Sequence, residues 1–166
     1  MGKRRAAREN ALQVLFELEF NDVGAEEVLA RHWADKKTEK AVEEYAGWLV
    51  RGIMARRQEI DKIVQNSAKH WRISRMALVD RNILRIAAFE LLEEKFLTPG
   101  IVINEAIEIA KRYSSDEAAV FVNGVLDAVW KKIEKKNPPL KVNDDEPTKE
   151  PAKKRAILSA GRRKKE

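Results

Sequence analysis

The stretch VDRNILRIAAFELL, residues 79–92, decides how the rest of the chain is read. Apolar side chains point in nearly every direction around it: Val79, Ile83, Leu84, Ile86, Ala87, Ala88, Phe89, Leu91 and Leu92. A helix with one apolar stripe lies on a surface, whereas one apolar almost all round belongs at the centre. The polar exceptions gather in its first half, where Asp80, Arg81, Asn82 and Arg85 need water or a partner. Asp80 in the first turn suits the positive end of the helix dipole. The expectation is a core helix with one polar end at a surface, and function is sought at that end first.

Helices surround this segment. Leu12, Leu15 and Phe16, with Ala11 and Leu18, carry the helical period from about Ala6 to Phe20, with a stop near Asn21, Asp22 and Gly24. Residues 25–34 form a short helix with Val28, Leu29 and Trp33 inward. Thr38 is read as the N-cap of a helix carrying Val42, Tyr45, Ala46, Leu49, Val50, Ile53 and Met54. After a polar break at residues 56–58 come Ile60, Ile63 and Val64, ending near Asn66 and Ser67; Trp71, Ile73 and Met76 lead into the central helix. Beyond it, Pro99 and Gly100 are read as a stop. Val102, Ile103, Ala106, Ile109, Ala110 and Tyr113 form the next stripe, with Glu108 and Arg112 as an i, i+4 pair. Ser114 and Glu117 have capping-box spacing before a last helix with Phe121, Val122, Val125, Leu126, Val129 and Ile133 inside. No strand-like alternation occurs, so the fold class is all-α. The domain is placed at residues 1–136, followed by a basic tail, 137–166, whose prolines, charges and sparse apolar residues predict disorder.

Composition narrows the function. The chain has 166 residues, enough for one domain with a real core or two small bundles sharing one. Its net charge of +6 and pI near 9.5 favour an acidic partner, nucleic acid before membrane. Without cysteine there is no disulfide and no thiolate metal site. No apolar run is long enough to span a bilayer, and the start MGKRRAAREN has neither a signal-peptide core nor the residue at position 6 that myristoylation needs. A soluble, intracellular protein is expected.

Enzyme signatures are scarce. The seven glycines form neither a P-loop nor a dinucleotide fingerprint. His32 and His70 are far apart with no acid or second ligand nearby, so both are read as surface or packing residues. Glu26-Glu27 and Glu43-Glu44 diverge by about 100° on a helix and read as solvated faces. Binding chemistry is better represented. Lys3, Arg4, Arg5 and Arg8 form a basic arm of the kind that holds RNA phosphates and stacks on bases. Arg5, Leu12 and Phe16 fall near one helix face, so Phe16 is either a stacking platform or core. Asn104 and Asn123-Gly124 sit oddly in apolar helices; Asn104 is read as a cap or cross-link and Gly124 as a point of close helix approach.

Three stretches together resemble the NusB family of bacterial transcription antitermination factors: RRAARENALQVLF at 4–16, VDRNILRIAAFEL at 79–91, and VINEAIEIAKRYSSDEAAVFVNGVLD at 102–127. The last is the most specific, and the likeness spans about residues 3–135, leaving the tail outside it. The resemblance implies two three-helix bundles side by side. It implies binding of the single-stranded boxA element of ribosomal RNA leader transcripts together with NusE, a small-subunit ribosomal protein. Other Nus factors and RNA polymerase follow as partners in the bacterial cytoplasm, a homodimer is compatible with it, and neither metal nor cofactor is called for. Arg4, Arg5 and Arg8 match the family's arginine-rich RNA contact, which Lys3 precedes. Phe16 stands where the family often has tyrosine, which keeps stacking but loses a hydroxyl. Asp80, Glu117 and Phe121 fall at positions associated with the RNA and NusE surfaces: Phe121 and Asp80 with RNA, Glu117 and Asp80 with NusE. Asp80 is shorter than the glutamate of some members. NusB-like domains also resemble the N-terminal part of certain RNA cytosine methyltransferases, but here no cofactor domain follows and no nucleophilic cysteine exists.

Overall fold

The computed structural model describes residues 2–138, and among them every regular element is helical. The order is α1 (Lys3–Leu18), α2 (Ala25–Trp33), α3 (Lys40–Ala55), α4 (Arg57–Ser67), a 3-10 turn (Ile73–Arg75), α5 (Leu78–Glu93), α6 (Pro99–Tyr113) and α7 (Asp116–Lys136). Helices α1, α2 and α3 pack on one another as the first bundle; α5, α6 and α7 form the second, with α4 laid against α5 and α7. Helix α5 belongs to both, since α1 and α3 also pack on it. The expected side-by-side arrangement is thus present, with α5 as the shared wall. The expected tail lies outside the described residues from position 139 on.

Burial of α5 follows from its composition. Every residue from Asn82 to Leu91 is buried, including Arg85 and Glu90. The close packing of α3 on this helix needs Gly52, because a Cβ there would lie 2.2 Å from Cζ of Phe89. Gly124, by contrast, is exposed with open space around it, and Asn104 is exposed as well. Neither mediates the helix contact expected of it.

The polar end of α5, expected at a surface, divides: Asp80 lines a surface groove, while Arg81, Asn82 and Arg85 turn inward and are closed off by the protein itself. Arg85 lies flat against two acids: Nε and Nη2 donate to Asp61 at 2.7 and 2.9 Å, and Nη1 donates to Glu19 at 2.7 Å. Arg81 donates to the other oxygen of Glu19 at 3.0 Å, and Asn82 accepts from Arg85. Burial pushes the Glu19 carboxyl up, but Arg85 and Arg81 more than reverse that and hold it below the usual carboxylate range. The cluster joins the end of α1 to α4 and α5, and its partners are 24 to 66 residues apart in sequence.

Several boundaries differ from the sequence reading, each for a local reason. Helix α1 begins at Lys3, so the arm is itself helical and its side chains are held on a rigid element. Pro99 opens α6 rather than stopping α5, because the N–H that proline lacks is not needed at the first helical position. Glu39, not Thr38, occupies the N-cap of α3, with no side-chain capping bond. At α7 the cap is Ser115, whose hydroxyl accepts from the Ala118 amide at 3.0 Å, one residue later than the Ser114 box. Glu117 is therefore free of capping duty. Glu108 pairs with Lys111, while Arg112 reaches Glu9 on α1 at 3.0 Å.

Candidate functional site

Helices α1 and α5 run antiparallel, so the arm meets the far end of the central helix one turn at a time. Arg4 donates to Glu94 at 2.9 Å and lies 4.0 Å over the ring of Tyr45. One turn further in, Arg8 makes a forked pair with Glu90 at 2.6 and 2.8 Å. The side chains of Arg8 and Glu90 are only 4% and 1% exposed, so this pair is sealed inside the protein. Burial alone would weaken the Arg8 charge, but the bonds to Glu90 outweigh it and raise its pKa. Burial, reinforced by Glu90, pushes the Tyr45 phenol up to about 12.

Arg5 faces another way, across the seam between the two bundles. It holds Glu105 of α6 through two bonds of 2.7 and 3.0 Å, which keep that carboxyl below its usual range. The bond from Arg4 does the same for Glu94. Lys3 pairs with Glu39 at 2.7 Å, both side chains exposed to solvent. Thus Lys3, Arg4 and Arg5 keep water-accessible heads, whereas Arg8 is consumed in holding α1 to α5. A phosphate can replace Glu94 or Glu105 as the acceptor for an exposed guanidinium. Arg8 also has the partly exposed Glu105 carboxylate 3.7 Å from its Nη1, but its own side chain is only 4% exposed.

From Arg5 the seam continues along one face of α1 through Glu9 and Gln13 to Phe16. Opposite it, α6 presents Glu105, Arg112 and Tyr113 in the same direction. Leu12, Gln13, Phe16, Val79 and Tyr113 enclose a groove of about 210 Å³. Phe16 is half exposed there and meets Phe20 edge-on at 5.2 Å, so it is not a core residue. The next residue of α5, Asp80, points about 100° away and lines a second groove of about 360 Å³. Its other walls include Trp71, Arg75, Ser115, Glu117 and Phe121. Trp71 stands edge-on to Phe121 at 6.0 Å, and Oδ1 of Asp80 is buried with no hydrogen-bond partner in the protein.

The structure therefore gathers Asp80, Glu117 and Phe121 in one groove and places Phe16 in the adjoining one. Lys3, Arg4 and Arg5 lie roughly 16–20 Å from Phe16 along α1, at the other end of the seam. Sequence reading missed Trp71 and Tyr113 as exposed groove residues. Tyr113 fitted the apolar stripe of α6 and was grouped with the core; the signal for Trp71 was its place among polar residues before α5. It also missed Glu90, an acid on an otherwise apolar helix face. Among the described residues no group of His, Asp and Glu is placed to hold a metal ion, and no helix is long and apolar enough to cross a membrane.

Comparison with known proteins fits this geometry. The NusB family model matches residues 5–131. A transcription antitermination protein NusB from Koribacter versatilis is 43% identical over 134 residues, covering 80% of this chain and 92% of the relative. Among solved structures, NusB of T. maritima superposes with a TM-score of 0.73 at 38% identity, covering 78% of this chain and 91% of that one. The antitermination factor NusB in a complex with NusE and double-stranded RNA gives a TM-score of 0.71 at 34% identity, covering 80% and 98%.

Proposed function

Because the chain belongs to the NusB family, we propose that it is a transcription antitermination factor that binds boxA RNA of ribosomal RNA leader transcripts jointly with NusE. It acts by binding and carries no catalysis of its own; it joins RNA polymerase and other Nus factors in the bacterial cytoplasm. Residues 1–136 are the binding domain. The observation that carries this reading is the continuous seam from the exposed cations of α1 to the twin aromatic grooves at the start of α5.

Charge sorts the roles. Lys3, Arg4 and Arg5 meet phosphates, while Phe16 and Phe121 stack bases, each stack contributing roughly 1–3 kcal/mol. Asp80 and Glu117 repel phosphates and accept hydrogen bonds, which suits basic or N–H groups of NusE, and Asp80 also meets the edge of a base beside Phe121. Arg8 serves the interface indirectly by fixing α1 on α5.

The test is fluorescence anisotropy of labelled boxA RNA titrated with this protein and its cognate NusE, with scrambled RNA and each protein alone as controls. Tight binding by the pair that disappears on scrambling is expected. Equal binding of both RNAs would reduce the arm to nonspecific charge, and absence of NusE association would leave the family assignment standing for the fold alone.

A further inference from the structure

A wide groove lies away from the seam. Helices α5 and α7 run parallel: Asp80 and Phe121 share the groove at one end, and Leu92 and Ile133, each twelve residues later, share another at the opposite end. This far groove encloses about 930 Å³ and has an apolar floor of Ile63, Leu92 and Ile133, all half-buried. Its rim is basic, with Lys69, Lys132, Lys135 and Lys136 against the single acid Glu59, which Arg56 already holds. Lys132 is turned across the groove toward the Asn66 carbonyl.

We propose that this groove is a docking site for the chain's own segment LKVNDDE, residues 140–146. That segment lies outside the described residues; its sequence and its point of attachment carry the argument. The groove is bordered by Lys136 and Asn137, where α7 ends, so the chain leaves the helix at the groove's edge. Extended backbone covers about 3.3–3.6 Å per residue, which puts Leu140 within roughly 10 Å of Asn137. Residues 140–146 offer two apolar side chains, Leu140 and Val142, for the floor. Three consecutive acids, Asp144, Asp145 and Glu146, then face the lysine rim. Beyond them residues 152–165 contain seven basic residues and no acid, so charge complementarity selects the proximal segment over the distal one. Docking covers the apolar floor and sets the starting point of the basic end.

Because the chain has no cysteine, one can be introduced and labelled without ambiguity. A nitroxide on Asn143→Cys in the full-length protein is expected to broaden the methyl NMR signals of Ile63, Leu92 and Ile133. The same label on Ser159→Cys leaves them sharp. Adding Leu140→Asp and Val142→Asp to the Asn143→Cys chain abolishes the broadening, and high salt weakens it by shortening the screening length. Equal broadening from both label sites, or insensitivity to the aspartates, overturns the proposal. So does broadening of an unlabelled, isotope-enriched chain by a labelled one, which would assign the groove to a second copy. The readout contains neither RNA nor NusE, so its result is independent of the proposed function.

Discussion

The two ends of α5 solve one problem with opposite polarity. At its C-terminal end, α1 supplies the cation and α5 the anion, in the Arg8–Glu90 pair. At its N-terminal end, the chain just beyond α1 supplies the anion Glu19, and α5 supplies Arg81 and Arg85. Arg81 in the first turn of α5, Glu90 in its last turn and Glu19 at the end of α1 all oppose the macrodipole of their own helix. Each is stabilised by its partner across the interface. Reversed polarity means that α1 docked in the opposite direction would set like charges against each other, so the clusters specify orientation. The ends differ in redundancy. Glu90 takes both its bonds from Arg8, which has Glu105 only as a more distant second acid at 3.7 Å, while Arg85 divides its bonds between Glu19 and Asp61, whose side chain is 24% exposed.

That difference sets an order of effects. Arg8→Ala strands Glu90 in the core and is expected to cost about 3–5 kcal/mol in urea unfolding, whereas replacing both residues with apolar side chains of similar volume recovers most of it. If the single and double variants lose equally, the pair matters through shape and not charge. Glu19→Ala removes an acceptor from Arg81 and Arg85 but leaves Asp61 in place, so a loss of about 1.5–3 kcal/mol is expected. A larger loss than Arg8→Ala would show that redundancy does not protect this end.

Acid titration separates the ends further. In the unfolded chain Glu19, Glu94 and Glu105 titrate near 4.5, and in the folded protein all three are held lower. Their contribution to stability is complete above that value and disappears as pH falls through the lowered ones. The urea midpoint is therefore expected to drop below about pH 4.5, and Glu19→Gln should flatten that limb. An unchanged limb in Glu19→Gln would move the acid sensitivity to the arm end.

The smallest stability effects belong to the outward arginines. Arg4→Ala and Arg5→Ala remove ion pairs that retain solvent access and should cost at most about 1 kcal/mol. Each should nevertheless lower the salt dependence of RNA binding by about 0.7, the value for one phosphate contact on a single strand. Arg8→Ala measured where it is still folded should leave that slope unchanged; a reduced slope would place Arg8 on the RNA.

Periodicity was enough for much of the fold. An all-round apolar segment such as α5 can only be central, and the stripes of α3, α4, α6 and α7 lie where the pattern puts them. Boundaries failed where one residue satisfies two rules: Pro99 is as good at starting a helix as at ending one, and Ser114 and Ser115 are both competent caps. The family resemblance singles out Asp80, Glu117 and Phe121, and the structure brings these three into one groove. Trp71 and Tyr113 were not legible as site residues, because an aromatic on a helical stripe or before a helix reads the same whether buried or exposed.

By itself the sequence determined the helical architecture and the family, since both are written in local spacing and short motifs. Only the tertiary structure decided which arginines are free to meet a ligand. Arg4 and Arg8 share a helix face, and nothing nearby in sequence distinguishes them. Their acids lie 90 and 82 residues away, and the antiparallel register sets Arg4 beyond the end of α5, against Glu94 in partial solvent. One turn further in, the same register drives Arg8 into the core against Glu90. A single helical turn, fixed by long-range packing, separates a surface cation from a structural one.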